Sequence, residues 1–320
     1  MKKIRFGIIG CGGISKKAFL PALQESESAE AAAVASRTWQ KAEAFASEFD
    51  CKAIHGYSEL LRREDIDAVY IATPISLHAE WAIAAANAGK HVLCEKSLTI
   101  NLNEANKIVQ ACQMNNVALY EGFTYPFHPQ HAKVKQLVEE GEIGKPVLFQ
   151  GWFGFPPIPS PHRYSNELGG GALLDAGAYT VHSARMIFNR EPINVHASFY
   201  NGEHKVEIQG SVLLDFGKGQ TAQLAFGFDN SYRNSYSIWG TVGCITLARA
   251  YAVPPTFAPT LLLEKQNYRA EYAVNPYNQF LGEIDSFCSG LDDEKIRQKW
   301  FDDALNQMTA LDRIRSGACS

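Results

Sequence analysis

The chain has 320 residues, 46% of them hydrophobic and 20% charged, and a formal net charge of −4. This length allows two domains with separate cores. The lack of a basic tract argues against nucleic acid as a partner, and the lack of a long apolar run argues against a membrane span. Seven scattered cysteines without a C-x-x-C pair indicate reduced thiols in a cytoplasmic protein and argue against a disulfide framework or a zinc site.

The first part of the chain alternates between short apolar runs and helical stretches. Nearly all-apolar strands joined by helices predict a parallel sheet covered on both faces, which is the α/β Rossmann arrangement, over residues 1–122. Ligands of such sheets bind at the carboxyl ends of the strands. The predicted strands are 4–9, 31–35, 68–72, 91–94 and 117–120, and the predicted helices are 39–49, 78–88 and 101–113.

After residue 122 the apolar runs become longer and alternate with polar residues. This pattern predicts an α+β domain over residues 123–320 with a large, mostly antiparallel open sheet. We expect this domain to bind the substrate and to pair through the open face of its sheet as a homodimer or homotetramer. Its predicted strands are 147–153, 195–200, 206–216, 221–228, 236–239, 244–247 and 261–264, and its predicted helices are 129–140, 171–188, 278–291 and 301–315.

A glycine-rich turn, GIIGCGGIS at residues 7–15, follows the first predicted strand. Gly10, Gly12 and Ser15 match the pattern G-x-G-x-x-G with a small residue in the last place. Glycines let the backbone approach a pyrophosphate, and the helix that follows offers N–H donors. The turn therefore predicts a dinucleotide-binding site, against the alternative of an ordinary glycine turn.

The second predicted strand ends in Ser36, Arg37 and Thr38. A site for NAD typically has Asp or Glu here, about 20 residues after the glycines, to bind the ribose hydroxyls. A guanidinium and two hydroxyls suit a 2′-phosphate instead. The predicted cofactor is therefore NADP(H), and the alternative is that Arg37 is a solvated loop residue.

The stretch ELGGGALLDAGAYTVHSARMIF, residues 167–188, predicts a helix that begins after a glycine triplet. Asp175, Tyr179 and His182 are spaced i, i+4 and i+7, so they share one face of this helix. An acid, a phenol and an imidazole on an otherwise apolar helix need partners or a ligand. This favours a functional role for Asp175 and Tyr179, whereas His182 taken alone favours a core histidine with one backbone hydrogen bond.

With these motifs the chain resembles the Gfo/Idh/MocA family of NAD(P)-dependent oxidoreductases. The resemblance is carried by GIIGCGGIS, by ATPISLHAEWAIAAANAGKHVLCEKSL at residues 72–98, by FHPQH at residues 127–131 and by GGGALLDAGAY at residues 169–179. In that family the lysine of a Glu-Lys-Pro motif lies at the reacting carbon. Ser97 stands here where the family usually has proline, which would fix the backbone that aims the lysine.

The resemblance implies that Lys96, Tyr179 and Asp175 are the catalytic residues. Lys96, at the carboxyl end of an apolar strand, would polarise a carbonyl group and stabilise its alkoxide character during hydride transfer. Tyr179 would donate the proton, helped by a neighbouring positive charge that lowers the pKa of a phenol. Glu95 would position Lys96 or the cofactor, and Asp175 would hold the lysine or a substrate hydroxyl.

The resemblance also implies the residues of two binding sites, and no metal is expected in either. The cofactor site comprises Gly10, Gly12, Gly13, Ile14, Ser36, Arg37, Thr38, Thr73, Pro74, His78, Glu95 and Lys96. The substrate site comprises Tyr125, Trp152, Arg163, Asp175 and His182.

Three segments are similar to a branch of the family that reduces the 3-keto group of nucleotide-linked deoxysugars, namely Trp239-Gly240-Thr241, Arg249-Ala250-Tyr251 and Asn278-Gln279-Phe280. The function implied is NADP(H)-dependent hydride transfer to or from a carbonyl or secondary alcohol of a sugar or sugar nucleotide. One alternative is a dehydrogenase of a free polyol, simple sugar or trans-dihydrodiol. A second is an NADP-sensing regulatory protein without catalysis, against which the presence of both Lys96 and Tyr179 counts.

Overall fold

The computed structural model describes residues 3–319, which fold into two compact units. The first unit comprises the chain up to Phe123 together with Phe280–Met308, and the second comprises Thr124–Gln279 together with the chain from Thr309 onward. Within the described residues, no helix is both long enough and apolar enough to cross a membrane.

The first unit contains a six-stranded sheet. Its strands are β1 (Ile4–Ile9), β2 (Ala29–Ser36), β3 (Lys52–His55), β4 (Ala68–Ile71), β5 (His91–Glu95) and β6 (Leu119–Gly122). The helices that alternate with them are α1 (Leu20–Glu25), α2 (Trp39–Phe49), α3 (Tyr57–Leu61), α4 (His78–Asn87) and α5 (Leu102–Met114).

All six strands are parallel, in the order β3-β2-β1-β4-β5-β6. This is the strand order of a doubly wound dinucleotide-binding sheet, in which the winding reverses between β1 and β4. The expected Rossmann fold is confirmed. The sequence did not predict β3, because this four-residue strand is exposed at both ends and lacks an apolar run.

The last two helices, α8 (Gln279–Gly290) and α9 (Glu294–Ser316), lie largely in the first unit. The rings of Phe287 and Phe6 are 5.8 Å apart, and the ring of Trp300 stacks on Phe287 at 5.8 Å. The expectation that everything after residue 122 forms the second domain is therefore corrected for Phe280–Met308. The apolar face of a helix can be recognised in the sequence, but the sheet against which that face packs cannot.

The second unit begins with α6 (Pro129–Glu139), β7 (Pro146–Gly154) and α7 (Ala178–Phe188). The remaining strands are β8 (Asn194–Tyr200), β9 (Gln209–Asp215), β10 (Thr221–Gly227), β11 (Arg233–Gly240), β12 (Gly243–Leu247), β13 (Thr260–Lys265), β14 (Tyr268–Ala273) and β15 (Ala318–Cys319). They form one sheet in the order β14-β13-β12-β11-β7-β10-β9-β8-β15. Neighbours are antiparallel except β7 with β10 and β8 with β15, so the expected mostly antiparallel sheet is confirmed.

Helix α7 packs against one face of this second sheet. A Cβ added at Gly151 of β7 would lie 3.2 Å from the Cβ of Thr180, so the helix approaches the strand closely. Successive residues of a strand point to opposite faces, and Phe153 of β7 therefore faces the helix while Trp152 does not. The other face, which we call the open face, carries exposed apolar side chains. Among them are Tyr200, Leu213 and Trp239.

Candidate active site

The glycine turn after β1 has the conformation that the fingerprint requires. Gly10 has φ +114°, and a Cβ at this position would lie 2.7 Å from the carbonyl oxygen of Ala72. The buried hydroxyl of Ser15 donates to the carbonyl oxygen of Gly10 at 2.8 Å, so the small residue in the last place holds the turn closed. A Cβ at Gly12 would have a single contact at 3.8 Å, and one at Gly13 would have none within 4 Å. The outer side of the turn is therefore open to a ligand.

The end of β2 presents Arg37 and Thr38, which are exposed, whereas Ser36 is 6% exposed. The hydroxyl of Ser36 accepts a hydrogen bond from the backbone N–H of Thr38 at 3.1 Å, so it shapes the turn. Burial raises the pKa of Tyr57, and the positive charge of the nearby Arg37 opposes that shift. Of the three predicted residues, Arg37 and Thr38 are thus the ones that can reach a cofactor phosphate.

A second cation lies near this place and was missed by the sequence analysis. Burial raises the pKa of the Cys11 thiol to about 11, and the positive charge of Lys41 partly opposes that shift. Lys41 belongs to the first turn of α2, close to the glycine turn that carries Cys11. Its place in the first turn of the helix that follows Arg37 was the available signal.

His78 joins two loops at the carboxyl edge of the first sheet. It is 1% exposed, and its Nδ1 lies 3.0 Å from the carbonyl oxygen of Ser97 while its Nε2 lies 2.9 Å from that of Thr73. Burial lowers the pKa of His78, while its contacts with backbone carbonyl oxygens oppose that shift. His78 thus connects the loop that follows Lys96 to the loop that begins at Thr73, and its predicted contact with the cofactor stays a prediction.

The loop of Lys96 is fixed by other contacts as well. The hydroxyl of Tyr70 donates to Glu95 Oε1 at 2.5 Å, and the backbone N–H of Leu98 donates to Glu121 Oε1 at 2.8 Å. Ser97 is fully buried, and the peptide bond between Lys96 and Ser97 is cis. Contacts on both sides of Lys96 thus restrain its backbone. They do so although the next residue is Ser97, where the family usually has proline.

A second buried carboxyl group faces Glu95 and was not found in the sequence. Glu283 of α8 is 0% exposed, and neither of its carboxyl oxygens has a hydrogen-bond partner among residues 3–319. Burial, and to a smaller extent the charge of Glu95, raises the pKa of Glu283 well above its usual range. The protonated form of Glu283 is therefore favoured in the folded protein.

In the second unit, a π-helical turn, Leu173–Gly177, precedes α7 and carries Asp175. Asp175 Oδ2 accepts a hydrogen bond from Arg163 Nε at 2.5 Å. Both side chains are about one-quarter exposed, at 25% for Asp175 and 28% for Arg163. Two residues predicted for the substrate site are thus brought together as an ion pair.

The turn is held at its start by Glu207. The backbone N–H of Leu173 donates to Glu207 Oε1 at 3.0 Å, which satisfies an N–H group that has no partner within the helix. Gly171 has φ +118°, and a Cβ there would lie 2.4 Å from the same carboxylate oxygen. The glycine before the helix therefore makes room for the capping carboxylate.

Tyr179 lies in a cluster of aromatic rings. Its ring centroid is 5.2 Å from that of Phe153, 5.6 Å from that of Tyr251 and 6.0 Å from that of Tyr125. Tyr125, Tyr251 and Tyr236 are fully buried, whereas Tyr179 is partly exposed. Of these four phenols, Tyr179 is the one that a bound ligand can reach from solvent.

His182 contacts the hydroxyl of Tyr125. The Tyr125 hydroxyl lies 2.6 Å from His182 Nδ1, and His182 is 7% exposed. The expected core position of His182 is therefore found, and the structure adds a side-chain contact with Tyr125 to it. Trp152, also predicted for the substrate site, is not brought to this cluster, because its neighbour Phe153 is the β7 residue that faces Tyr179.

The FHPQH segment holds a distant part of the second unit in place. His131 Nε2 lies 2.8 Å from the carbonyl oxygen of Ala250, and His131 Nδ1 lies 3.0 Å from the Tyr236 hydroxyl. Burial lowers the pKa of His131 to about 3, so the ring is neutral; it donates to Ala250 and accepts from Tyr236. Gln130, fully buried, donates to the carbonyl oxygen of Arg249 at 2.9 Å.

The first unit fits a nicotinamide dinucleotide. The glycine turn leaves the space that a pyrophosphate needs, and the cations of Arg37 and Lys41 follow at the end of the neighbouring strand. Beside the turn, the buried hydroxyl of Thr73 has no hydrogen-bond partner among residues 3–319. A buried polar group without a partner is costly, and an acceptor on a bound cofactor would satisfy it.

Comparison with known proteins agrees with this geometry. Residues 4–123 match the model of an oxidoreductase family with an NAD-binding Rossmann fold, and residues 131–246 match the model of the GFO/IDH/MocA C-terminal domain. A dTDP-3,4-didehydro-2,6-dideoxy-alpha-D-glucose 3-reductase of Actinomadura kijaniata is 36% identical over 98% of this chain and 96% of its own. A D-xylose 1-dehydrogenase (NADP(+)) of Haloferax volcanii is 33% identical over 98% of this chain and 97% of its own.

Among solved structures, a 3-ketoreductase from Actinomadura kijaniata in complex with NADP and TDP-benzene superimposes with a TM-score of 0.95. The two are 35% identical, over 99% of this chain and 98% of that one. The same ketoreductase has also been solved with a lysine replaced by alanine and with a tyrosine replaced by phenylalanine, each with TDP-benzene and NADP.

Proposed function

The chain belongs to the Gfo/Idh/MocA family of oxidoreductases, and we propose that it is an NADPH-dependent reductase of a keto sugar nucleotide, acting on the 3-keto group of a deoxysugar linked to dTDP. The observation that carries the proposal is the partly exposed phenol of Tyr179 among three buried tyrosines, at the start of a helix whose preceding turn carries the Asp175–Arg163 pair. This arrangement offers one proton donor at a polar surface. The full-length likeness to the 3-reductase of Actinomadura kijaniata supports the choice of substrate class.

The preference for NADPH is supported by the end of β2. Arg37 and Thr38 are exposed there, Lys41 follows on α2, and no carboxylate occupies the place of the NAD-type acid. A guanidinium forms charge-assisted hydrogen bonds with a phosphate, and a second cation adds to the attraction. When bound, the nicotinamide supplies the hydride that goes to the carbonyl carbon.

The chain's own residues then handle the charge and the proton. Lys96 stabilises the negative charge that develops on the carbonyl oxygen, and Tyr179 donates its phenolic proton to that oxygen, which becomes a hydroxyl group. Glu95, fixed by Tyr70, restrains the strand end that carries Lys96. Asp175, paired with Arg163, offers a hydrogen-bond acceptor to a sugar hydroxyl.

The experiment that tests the proposal follows oxidation of NADPH with purified protein. The substrates compared are a dTDP-linked 3-keto-deoxysugar, the same keto sugar without its nucleotide, and simple aldoses. The proposal requires the highest kcat/KM for the nucleotide-linked ketone, and loss of that activity in Lys96→Ala. A higher kcat/KM for free sugars would contradict it.

The runner-up is an NADP-dependent dehydrogenase of a free sugar. It is favoured by one observation, namely the 33% identity with a D-xylose 1-dehydrogenase (NADP(+)) over nearly the whole chain. The two functions differ in the group attached to the sugar, since a free sugar carries no diphosphate. Oxidation of D-xylose with NADP as the sole co-substrate would favour the runner-up.

The open face of the second sheet is proposed to pair with a second copy of the chain. A groove of about 510 Å³ lies on this face between Trp152, Leu213 and neighbouring residues of β7–β10. Tyr200 and Trp239 are 58% and 59% exposed on the same face. An antiparallel sheet with apolar side chains on an uncovered face is stabilised when a partner buries them. Light scattering should therefore give a dimer or tetramer, and a charged substitution at Leu213 should shift it toward the monomer.

A further inference from the structure

An arginine of the second unit lies against two exposed aromatic rings. The guanidinium carbon of Arg249, just after β12, is 4.7 Å from the ring centroid of Tyr232 and 5.6 Å from that of Phe257. Its Nη1 donates to the Tyr232 hydroxyl at 2.6 Å. Tyr232 and Phe257 are 47% and 41% exposed, so one place offers a cation and aromatic surface to solvent together.

The backbone that carries this group is held by buried amides. Gln130, 0% exposed, donates to the carbonyl oxygen of Arg249 at 2.9 Å. Asn234, 1% exposed, accepts from the backbone N–H of Tyr251 at 2.7 Å and donates to the Tyr232 hydroxyl at 3.0 Å. These hydrogen bonds from buried amides fix the segment and the phenol relative to each other. The arginine is therefore part of a preorganised arrangement, unlike a mobile cation on a loop.

The same segment connects this place to the proposed proton donor. Tyr251 follows Arg249 by two residues, is fully buried, and has its ring centroid 5.6 Å from that of Tyr179. Arg249 thus belongs to the short segment whose Tyr251 packs against Tyr179, which places both residues in one region of the second unit.

We infer that Arg249, with the rings of Tyr232 and Phe257, binds the nucleoside diphosphate half of the substrate. A guanidinium recognises phosphate oxygens through charge-assisted hydrogen bonds, and an exposed aromatic ring stacks on a nucleobase. The inference rests on the proposed function, because it assigns the other half of the same substrate. It also gives a physical reason why a nucleotide-linked sugar would be preferred to a free one.

Calorimetric titration of the full-length protein with dTDP, at saturating NADP, tests the inference. Arg249→Ala should raise the dissociation constant of dTDP by about 10- to 150-fold, the loss expected for charge-assisted hydrogen bonds. Phe257→Ala should raise it by about 5- to 100-fold, the weight of one stacked base, and should leave the affinity for inorganic diphosphate unchanged. Arg269→Ala is the matched control, because Arg269 is an exposed arginine of the same unit that pairs with Glu271, and it should bind dTDP like the wild type.

The outcomes separate this inference from the proposed function. Wild-type affinity for dTDP in Arg249→Ala would overturn the subsite, and so would failure of the wild type to bind dTDP. If the wild type reduces the keto sugar nucleotide and Arg249→Ala does so with unchanged KM, the proposed function stands and the subsite is refuted. If dTDP binds in an Arg249-dependent way but no keto sugar nucleotide is reduced, the subsite stands and the proposed reaction fails. Unchanged NADPH affinity in Arg249→Ala shows that the variant is folded.

Discussion

The hydroxyl of Tyr125 and Nδ1 of His182 are 2.6 Å apart, and both side chains are buried, at 0% and 7% exposed. The imidazole of His182 is therefore engaged with a phenol that lies inside the aromatic cluster, while Tyr179 is partly exposed. Burial thus distinguishes between the two candidates for the proton donor on this helix. The contact shows that His182 supports Tyr125, and Tyr179 stays the proposed donor.

Replacing His182 by Ala should lower the free energy of unfolding by about 1–3 kcal/mol, because the buried Tyr125 hydroxyl loses this partner. The kcat should fall by less than about 10-fold, since the variant retains the proposed donor. Urea unfolding and steady-state kinetics on the same preparation give both numbers. Tyr125→Phe is the control, because it removes the other half of the pair and should be less than additive with His182→Ala. An inactive His182→Ala of normal stability would make the histidine the acid.

Replacing Arg37 by Ala should weaken NADPH binding by about 1.5–3 kcal/mol and leave NADH binding nearly unchanged. The physical reason is that only NADPH carries the 2′-phosphate that Arg37 is expected to pair with. Fluorescence titration with both cofactors measures the effect. Lys41→Ala should act in the same direction with a smaller change, because a lysine lacks the planar fork of a guanidinium. Equal weakening of NADPH binding and NADH binding by Arg37→Ala would show that Arg37 does not bind the 2′-phosphate.

Replacing Gly10 by Ala should disturb the turn, whereas replacing Gly13 by Ala should not. The added Cβ at Gly10 would lie 2.7 Å from the Ala72 carbonyl oxygen at φ +114°, while one at Gly13 has nothing within 4 Å. Left-handed backbone alone costs a residue with a side chain about 1–2 kcal/mol. Thermal unfolding without cofactor should therefore show a lower Tm for Gly10→Ala only. A normal Tm for Gly10→Ala would mean that the turn relaxes freely.

The sequence predicts most of the first unit because its signals are local. The helix 39–49 is found as α2 (Trp39–Phe49) with the same bounds, and Asn101 caps α5 by accepting from the N–H of Glu104 at 2.9 Å, as its capping-box pattern indicates. Polar edge strands cannot be predicted from such local signals. Strand β14 (Tyr268–Ala273), for example, is mostly exposed and has no apolar face to detect.

What the sequence could not predict depends on contacts between distant residues. Trp152 and Phe153 are equally apolar neighbours, and only the register of β7 decides which of them faces Tyr179. Likewise, the electrostatic effect of Glu95 on the pKa of Glu283 joins residues far apart in the chain. A lone glutamate in a helix gives no signal of burial. The ring cluster around Tyr179 became recognisable only once the sheet had assembled it.

Replacing Glu283 by Gln should change how stability depends on pH. The pKa of Glu283 is raised in the folded protein by burial and, secondarily, by Glu95, whereas an unfolded glutamate titrates near pH 4.3. The folded state therefore holds this proton more tightly. The resulting stabilisation is complete below about pH 4.3 and is lost progressively as the pH rises through the raised folded pKa. Glutamine resembles the protonated acid in shape but does not titrate.

As the pH rises above about 4.3, the wild type should lose stability relative to Glu283→Gln by up to about 1.4 kcal/mol for each pH unit, until the raised folded pKa is reached. Urea unfolding at several pH values measures the difference. Glu43→Gln, an exposed position in the middle of α2, is the control and should track the wild type at every pH. Parallel curves for the wild type and Glu283→Gln would show that Glu283 is ionised in the folded protein.

Replacing Tyr179 by Phe should lower kcat by about 10²–10⁴, the usual weight of general acid catalysis, and should preserve the affinity for NADPH. Only the hydroxyl is removed, so the ring keeps its packing 5.2 Å from Phe153 and the fold is maintained. Tyr251→Phe is the matched control, because it removes the hydroxyl of a neighbouring ring that is fully buried and lies 3.1 Å from the Ser183 hydroxyl. That variant should be less stable by about 1 kcal/mol and keep most of its kcat, since a buried phenol cannot reach the substrate. If Tyr179→Phe retained its rate instead, the proton would have to come from elsewhere, and partial exposure would have been the wrong criterion for choosing among the four phenols.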